Sequence, residues 1–304
     1  MLTSIRGLMA ATLSAGFVLS AAPAFASETG APEASTEEAI SPELLAADAL
    51  IENEIAEENA VVVTAGLLER ASEPVAEETA TNFAGDSDLS FSANIAFTTE
   101  YRFRGVDLSG GDFAVQGGFD VGHSSGLYVG TWASNLDEDT VGFGSTELDL
   151  YGGWSGNLTD ALSADVGVIY YVYPNAPTSA GPTDYIEFYA SVSASVGPVS
   201  ITPGIAYAPD QDSLGSTDNF YLYTDVSVGI PDTPLTINGH LGYTDGFLTF
   251  TNDSEAFDWS ISADLALGPA TLSAAYVGVE GDALIDPGGV FTDDAFVLTL
   301  SASF

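Results

Sequence analysis

The chain has 304 residues, of which 4 are basic and 44 are acidic, so its formal net charge at pH 7 is -40. This charge excludes a nucleic-acid-binding protein, because so few basic side chains cannot neutralise a run of phosphates. The 13 Tyr, 17 Phe and 3 Trp exclude a wholly disordered acidic chain, which would be poor in aromatic residues.

The N-terminus has the pattern of an export signal. Arg6 gives a short positive region, residues 8–22 are apolar and uncharged, and residues 24–26 (Ala-Phe-Ala) fit the small-x-small cleavage rule. The alternative is an N-terminal membrane anchor, but the apolar stretch is too short to span a bilayer as a helix. The sequence therefore predicts a cleaved signal peptide over residues 1–26 and export of the chain that starts at Ser27.

Residues 27–88 form an acidic periplasmic extension in which Arg70 is the only basic residue. Apolar residues recur near helical spacing after Pro42, which favours one or two helices between residues 42 and 70. We interpret this segment as a partly helical or disordered acidic extension. A plug for a pore and a helix that binds a periplasmic partner are the alternatives, and the residues of the segment do not select between them.

From residue 89 onwards, apolar and polar side chains alternate, which is the pattern of strands with one apolar face. The first strand is predicted over residues 89–106, where Phe91, Ile95 and Phe97 lie on the apolar face. The alternation recurs to the end of the chain, and we count twelve predicted strands in residues 89–304. Residues 127–135 form one of them, but both of its faces are apolar and the sequence does not orient it.

The connections between these strands alternate in length. Short turns, such as residues 123–126 and 268–269, alternate with longer connections, such as residues 174–184 and 279–294. Bacterial outer-membrane barrels have short periplasmic turns, longer outer loops and an even number of strands. The sequence therefore predicts an all-β fold: a transmembrane, antiparallel, up-and-down β-barrel of about twelve strands over residues 89–304.

The competing fold is a soluble β-sandwich or a lipocalin-like barrel, in which the apolar faces point inwards. Charge placement favours the membrane barrel, because the oriented apolar faces carry no charged residue and the polar faces are rich in Gly, Ser and Thr. Charged residues of the polar faces are predicted to line the pore: Glu100, Arg102, Arg104, Asp120, Glu147, Asp149, Asp165, Glu187, Asp225, Asp258 and Asp264.

Arg102 and Arg104 are the only basic residues of the predicted barrel and both are placed on the inner face of the first strand. One interpretation is a salt bridge inside the lumen to an acid such as Glu100, Glu147 or Glu187. The other is a basic strip opposite an acidic wall, which would set a transverse field at a constriction.

The chain ends on Phe304, in a strand that must pair with the first strand to close the barrel. A terminal aromatic residue resembles the signal by which the barrel-assembly machinery recognises outer-membrane barrels. The expected partners are therefore this machinery, outer-membrane lipid and lipopolysaccharide, and small solutes.

Three segments carry a family resemblance. Residues 99–105 (Thr-Glu-Tyr-Arg-Phe-Arg-Gly), 115–120 (Val-Gln-Gly-Gly-Phe-Asp) and 126–135 (Gly-Leu-Tyr-Val-Gly-Thr-Trp-Ala-Ser-Asn) resemble the TorF-family porins. The resemblance implies an outer-membrane channel of Gram-negative bacteria and supplies no catalytic or substrate residues. The acidic extension departs from the usual pattern of that family.

The sequence does not favour an enzyme, a cofactor or a metal site. His123-Ser124-Ser125 resembles the His-x-Ser of outer-membrane phospholipases, but it falls in a predicted turn and we interpret it as a polar turn. His240 lies alone on an inner face, where a hydrogen bond is expected. Without cysteine there is no thiolate metal ligand.

Acids of the longer connections could bind Ca²⁺ or Mg²⁺, because hard cations prefer oxygen ligands. The interpretation we favour is a solvated acidic surface. These acids are Asp137, Glu138, Asp139, Asp210, Asp212, Asp293 and Asp294.

Two functions from different classes fit this fold. The first is a passive outer-membrane channel with a narrow lumen, whose acidic wall favours cations and small neutral solutes. The alternative is a non-conducting structural or surface-interaction barrel with a closed lumen.

Overall fold

The computed structural model describes residues 88–281 and 291–304. The predicted signal peptide and all but the last residue of the predicted acidic extension lie outside the described residues, so both stay predictions. Within the described residues, no helix is long and apolar enough to cross a membrane.

Twelve antiparallel strands form a closed barrel in which each strand pairs with the next one along the wall. The prediction of an up-and-down barrel of about twelve strands is confirmed. The barrel strands are β1 (Leu89–Thr98), β4 (Ala114–His123), β5 (Leu127–Asn135), β6 (Thr146–Thr159), β7 (Leu162–Val172), β8 (Tyr185–Val196), β9 (Val199–Gln211), β10 (Thr217–Gly229), β11 (Leu235–Gly246), β12 (Glu255–Leu267), β13 (Ala270–Glu280) and β14 (Ala295–Ser303).

A separate small hairpin, β2 (Arg102–Phe103) and β3 (Val106–Asp107), lies in the connection between β1 and β4. The described residues also contain a one-turn helix, α1 (Glu138–Val141), and three 3₁₀ turns, Thr178–Ala180, Asp212–Leu214 and Phe247–Thr249.

The barrel closes where β1 pairs with β14, from Asn94 opposite Ser303 to Thr98 opposite Thr299. One residue further on, the Phe304 amide donates to the Ala93 carbonyl (2.8 Å) and the Ala93 amide donates to the Phe304 carbonyl (3.0 Å). The last residue of the chain is therefore part of the ladder that removes the open edge of the sheet.

The two ends of the barrel differ in the length of the connections between strands. Turns of two to five residues join β4 to β5, β6 to β7, β8 to β9, β10 to β11 and β12 to β13, all at one end. The connections at the other end are equal or longer, and the longest described one is residues 99–113 between β1 and β4. We call these the short-turn end and the long-loop end.

The outer wall of the barrel is an apolar surface. Alternate residues of every strand expose large apolar side chains, among them Phe97, Phe188 and Leu241. In β5, Leu127 and Val129 are exposed by 57% and 58%, which orients the strand that the sequence left open. An apolar wall around a polar interior is the arrangement of a transmembrane barrel.

Four acids that lie beyond the ends of the predicted strands are on the outer face of the longer strands of the structure. They occur only at the long-loop ends of β10 to β13 and are exposed: Asp218, Asp245, Glu255 and Glu280. Nearby tyrosines act as donors, with the Tyr207 hydroxyl 3.0 Å from an Asp218 oxygen. These acids mark the level at which the apolar band ends.

Inside the barrel, tyrosine rings lie on glycines of the neighbouring strand. Tyr151 covers Gly130, and Tyr189 covers Gly167, each glycine being the cross-strand partner of its tyrosine. A Cβ at either glycine would collide with the ring. Glycine therefore allows each ring to lie along the wall, an arrangement known to stabilise glycine positions in sheets.

Candidate functional site: a hairpin inside the lumen

The prediction of one continuous strand over residues 89–106 is wrong. β1 ends at Thr98, and in the connection that follows, residues 101–108 leave the wall and enter the lumen. Tyr101, Phe103 and Leu108 are buried there. Inside the barrel the apolar parts of these side chains are removed from water. In a strand that extended beyond the membrane they would be exposed to it.

We call residues 101–108 the inward hairpin. Its tip is a two-residue turn in which Arg104 and Gly105 both have positive φ, 47° and 84°, as a tight hairpin turn requires. Phe103 pairs with Val106 beside the tip. At the base, the Asp107 carboxylate accepts the amide of Ser109 at 2.8 Å, which fixes the chain as it returns to the wall.

The inward hairpin crosses the lumen. At its base, the Tyr101 ring meets Trp132 of β5 with centroids 5.5 Å apart, and its hydroxyl donates to a Glu147 oxygen of β6 at 2.9 Å. At its tip, a Cβ on Gly105 would lie 2.7 Å from the Val279 Cβ of β13. The hairpin therefore contacts both sides of the barrel.

Arg104 is held by the far wall. Its Nη2 donates to both oxygens of Glu187 in β8, at 2.9 and 2.7 Å, and both side chains are buried. The guanidinium also lies against two rings, 4.8 Å from the Phe103 centroid and 4.3 Å from that of Tyr221. An arginine side chain does not lose its proton in a folded protein. Arg104 is therefore a permanent cation.

A second polar cluster lies beside the hairpin tip. His240 stands between two carboxylates, with Nδ1 2.6 Å from an Asp225 oxygen and Nε2 2.8 Å from an Asp258 oxygen. The Tyr221 hydroxyl donates to the same Asp258 oxygen at 3.0 Å. A Cβ on Gly105 would lie 3.1 Å from the Asp258 Cβ, so this cluster lies next to the hairpin tip.

The lumen is less filled towards the short-turn end. Ser92, Ser163 and Ser227 are partly exposed inner residues there. Tyrosines still bind carboxylates in the middle of the wall: the Tyr128 hydroxyl donates to Asp165 at 2.6 Å, and the Tyr151 hydroxyl donates to Asp120 at 2.5 Å. The closed part of the lumen is therefore the level of the inward hairpin.

The placement of Arg102 and Arg104 on the inner face of a strand wall is wrong, since both belong to the inward hairpin. Of the two interpretations of these residues, the structure shows the ion pairs. Arg102 pairs with Glu100 at 2.5 Å and Arg104 with Glu187 at 2.7 Å. Glu147, the third suggested acid, accepts the Tyr101 hydroxyl instead.

The other predicted pore residues lie on inner faces of the strands, except Glu100, which lies in the connection after β1 and pairs with Arg102. Glu147, Asp149, Asp165, Glu187, Asp258 and Asp264 are buried, whereas Asp120 and Asp225 are partly exposed. The Asp264 carboxylate accepts the amide nitrogen of Asn238. Passage of ions along these acids stays a prediction.

The two histidines occupy the places that the sequence predicted. His123 ends β4, and its Nδ1 lies 2.8 Å from the Ser125 hydroxyl oxygen within the turn to β5. His240 is hydrogen-bonded inside the lumen. Within residues 88–281 and 291–304, no group of three or more His, Asp or Glu has an arrangement that could hold a metal ion.

The sequence match covers the whole of this barrel. Residues 82–304 match the profile of the family described as "Bacterial protein of unknown function (Gcw_chp)". The chain belongs to this family. The match includes the inward hairpin as well as all twelve strands. Curated proteins gave no match to the sequence.

Solved barrels give weaker likenesses. One is the KdgM porin in complex with disordered oligogalacturonate, with 8% identity, a TM-score of 0.46, and coverage of 70% of this chain and 98% of the other. Another is an outer membrane channel from Pseudomonas putida, with 12% identity, a TM-score of 0.45, and coverage of 76% and 98%. LpxR from Salmonella typhimurium has 9% identity, a TM-score of 0.37, and coverage of 70% and 99%.

Proposed function

We propose that the protein is a porin-like channel of the bacterial outer membrane, with a narrow lumen that favours cations and small neutral solutes. The observation that supports this proposal is the division of the barrel into an apolar outer wall and a polar, acidic inner wall. The predicted export signal supports the location, and the resemblance of residues 99–135 to TorF-family porins supports the channel. The short-turn end then faces the periplasm.

The arrangement of the tyrosines supports a path for solutes. The rings of Tyr128, Tyr189 and Tyr223 lie on wall glycines, so they lie along the wall of the lumen and take up less of its cross-section than rings directed at its axis. Carboxylates beside these rings attract cations and repel anions. We therefore expect selectivity to depend on the partly exposed acids Asp120 and Asp225.

The test is conductance of the purified protein in a planar bilayer. With a gradient of KCl at low ionic strength, where screening is weak, the reversal potential should show K⁺ passing in preference to Cl⁻. Asp120→Asn with Asp225→Asn should reduce that preference. The matched control is Asp160→Asn with Asp232→Asn, which removes two exposed carboxylates from short turns. Anion selectivity of the unmodified protein contradicts the proposal.

The second candidate is a non-conducting barrel that acts through its surface. One observation favours it: the inward hairpin fills the lumen at the long-loop end, where Tyr171, Glu187 and Tyr221 are almost completely buried. The non-conducting barrel requires that no conductance is observed, even after the hairpin has been released from the far wall.

A further inference from the structure

The inward hairpin is not needed to close the barrel. β1 and β4 pair directly from Leu89–His123 to Thr98–Ala114. Residues 99–113 therefore join two adjacent strands whose ladder is complete without them. A segment of this kind can change its position while the wall around it stays intact.

Backbone contacts between the hairpin and the rest of the protein are few. β2 and β3 pair with each other and form a sheet of their own. Among the described residues, the backbone bonds that join residues 101–108 to distant segments are from the Asp107 amide to the Phe291 carbonyl and from the Asp137 amide to the Leu108 carbonyl, both 2.9 Å. Side chains therefore hold the hairpin across the lumen.

The tip is strained and charged. Arg104 adopts a left-handed conformation that non-glycine residues rarely keep unless their surroundings fix it. Here the surroundings are the Glu187 carboxylate and the rings of Phe103 and Tyr221. A buried ion pair adds little stability compared with apolar packing, but loss of one partner leaves an unpaired buried charge. Such a contact suits a switch between two positions.

We infer that the inward hairpin is a movable plug of the lumen and that the Arg104–Glu187 ion pair is its latch. This inference rests on the proposed channel, since it describes how that channel closes and opens. With the pair intact, the hairpin blocks the long-loop end. When the pair is broken, the hairpin leaves the far wall and the lumen becomes continuous.

The first measurement reports on the hairpin alone. The natural chain has no cysteine, so Val106→Cys introduces a single thiol at a position that is 1% exposed. Its rate of reaction with a charged, water-soluble thiol reagent measures how often the hairpin opens in the folded barrel. Arg104→Gln or Glu187→Gln should raise this rate by at least about tenfold.

Two control variants separate the latch from general damage. Asp112→Asn removes an exposed carboxylate from the same connection, outside the inward hairpin, and should leave the rate unchanged. The exchange Arg104→Glu with Glu187→Arg restores an ion pair and should return the rate towards that of the parent. Heat-modifiable migration in gels checks that every variant is folded.

The second measurement is the bilayer conductance of the same variants. The latch predicts higher conductance or longer open times for Arg104→Gln and Glu187→Gln. Labelling rates equal to the parent in both single variants overturn the latch, whether or not the barrel conducts. Fast labelling without conductance in any variant overturns the channel and leaves the movable hairpin standing.

Discussion

Tyr223 of β10 and Gly204 of β9 face each other across the sheet, and the Tyr223 ring lies over Gly204 where a side chain would otherwise stand. The same relationship joins Tyr128 to Gly153, Tyr151 to Gly130 and Tyr189 to Gly167. A narrow barrel can in this way carry large aromatic residues on its inner face, because each ring occupies the volume of a missing neighbour. The Tyr128 and Tyr151 hydroxyls then reach carboxylates of nearby strands.

Gly204→Ala should destabilise the folded barrel, because the new Cβ would collide with the Tyr223 ring. Overpacking of this kind costs about 1–3 kcal/mol. The midpoint of urea unfolding in lipid vesicles measures the effect. Gly239→Ala is the matched control, since a Cβ there has no neighbour within 4 Å. Equal midpoints for the two variants would show that the position of the Tyr223 ring does not require a glycine at position 204.

Val226→Arg should impair folding into a membrane. Val226 lies on the outer face near the middle of the apolar band of β10, and an arginine there would meet lipid at a cost of about 2–4 kcal/mol. Ser227→Arg is the control, because Ser227 faces the lumen and its hydroxyl donates to Asn238 at 2.7 Å. Folded yield in vesicles should fall much more for Val226→Arg, and the opposite order would contradict the register of this strand.

Phe304→Ala should lower the amount of heat-modifiable protein in the outer membrane. The substitution keeps the backbone bonds to Ala93 and removes only the ring, so it tests recognition during assembly separately from barrel closure. Phe296→Ala, at the other end of β14, removes a ring with the same 62% exposure. If both variants assembled equally well, Phe304 would have no special role as a terminal signal.

Deletion of residues 27–87 after the signal peptide should leave assembly and conductance intact if the acidic extension is only an extension. Asp88 is kept because its carbonyl accepts the Ser124 amide at 2.8 Å. Single-channel conductance before and after deletion is the measurement. A much larger conductance of the shortened protein would indicate that the extension plugs the lumen.

The alternation of residues was sufficient to predict the barrel strands. A strand between lipid and a polar interior needs an apolar side chain at every second position, and this requirement is local in sequence. Strands such as β8, where Phe188 and Val192 alternate with Glu187 and Ser191, therefore carry their orientation in their own residues. The alternating connection lengths fixed the up-and-down order for the same reason.

The orientation of β5 needed the neighbouring strands. Tyr128 and Trp132 on one face and Leu127 and Val129 on the other are all large and mainly apolar, so the sequence does not orient the strand. Pairing with β4 and β6 places Tyr128 opposite Gly153, where its ring has room inside the barrel. The space beside Gly153 on β6, and not the residues of β5 themselves, decided which face of β5 points into the barrel.

Only the tertiary structure revealed the inward hairpin and its latch. Residues 99–106 continue the alternation of β1, and nothing in their sequence separates a longer wall strand from a segment that folds inwards. Gly105 readily adopts the positive φ of a two-residue turn, but a single glycine is also compatible with a strand. The partner Glu187 lies 83 residues further along the chain, and it meets Arg104 only because closure of the barrel brings β8 opposite the start of β4. Periodicity is set by the surroundings of each strand, whereas contacts across a lumen depend on the shape of the whole barrel.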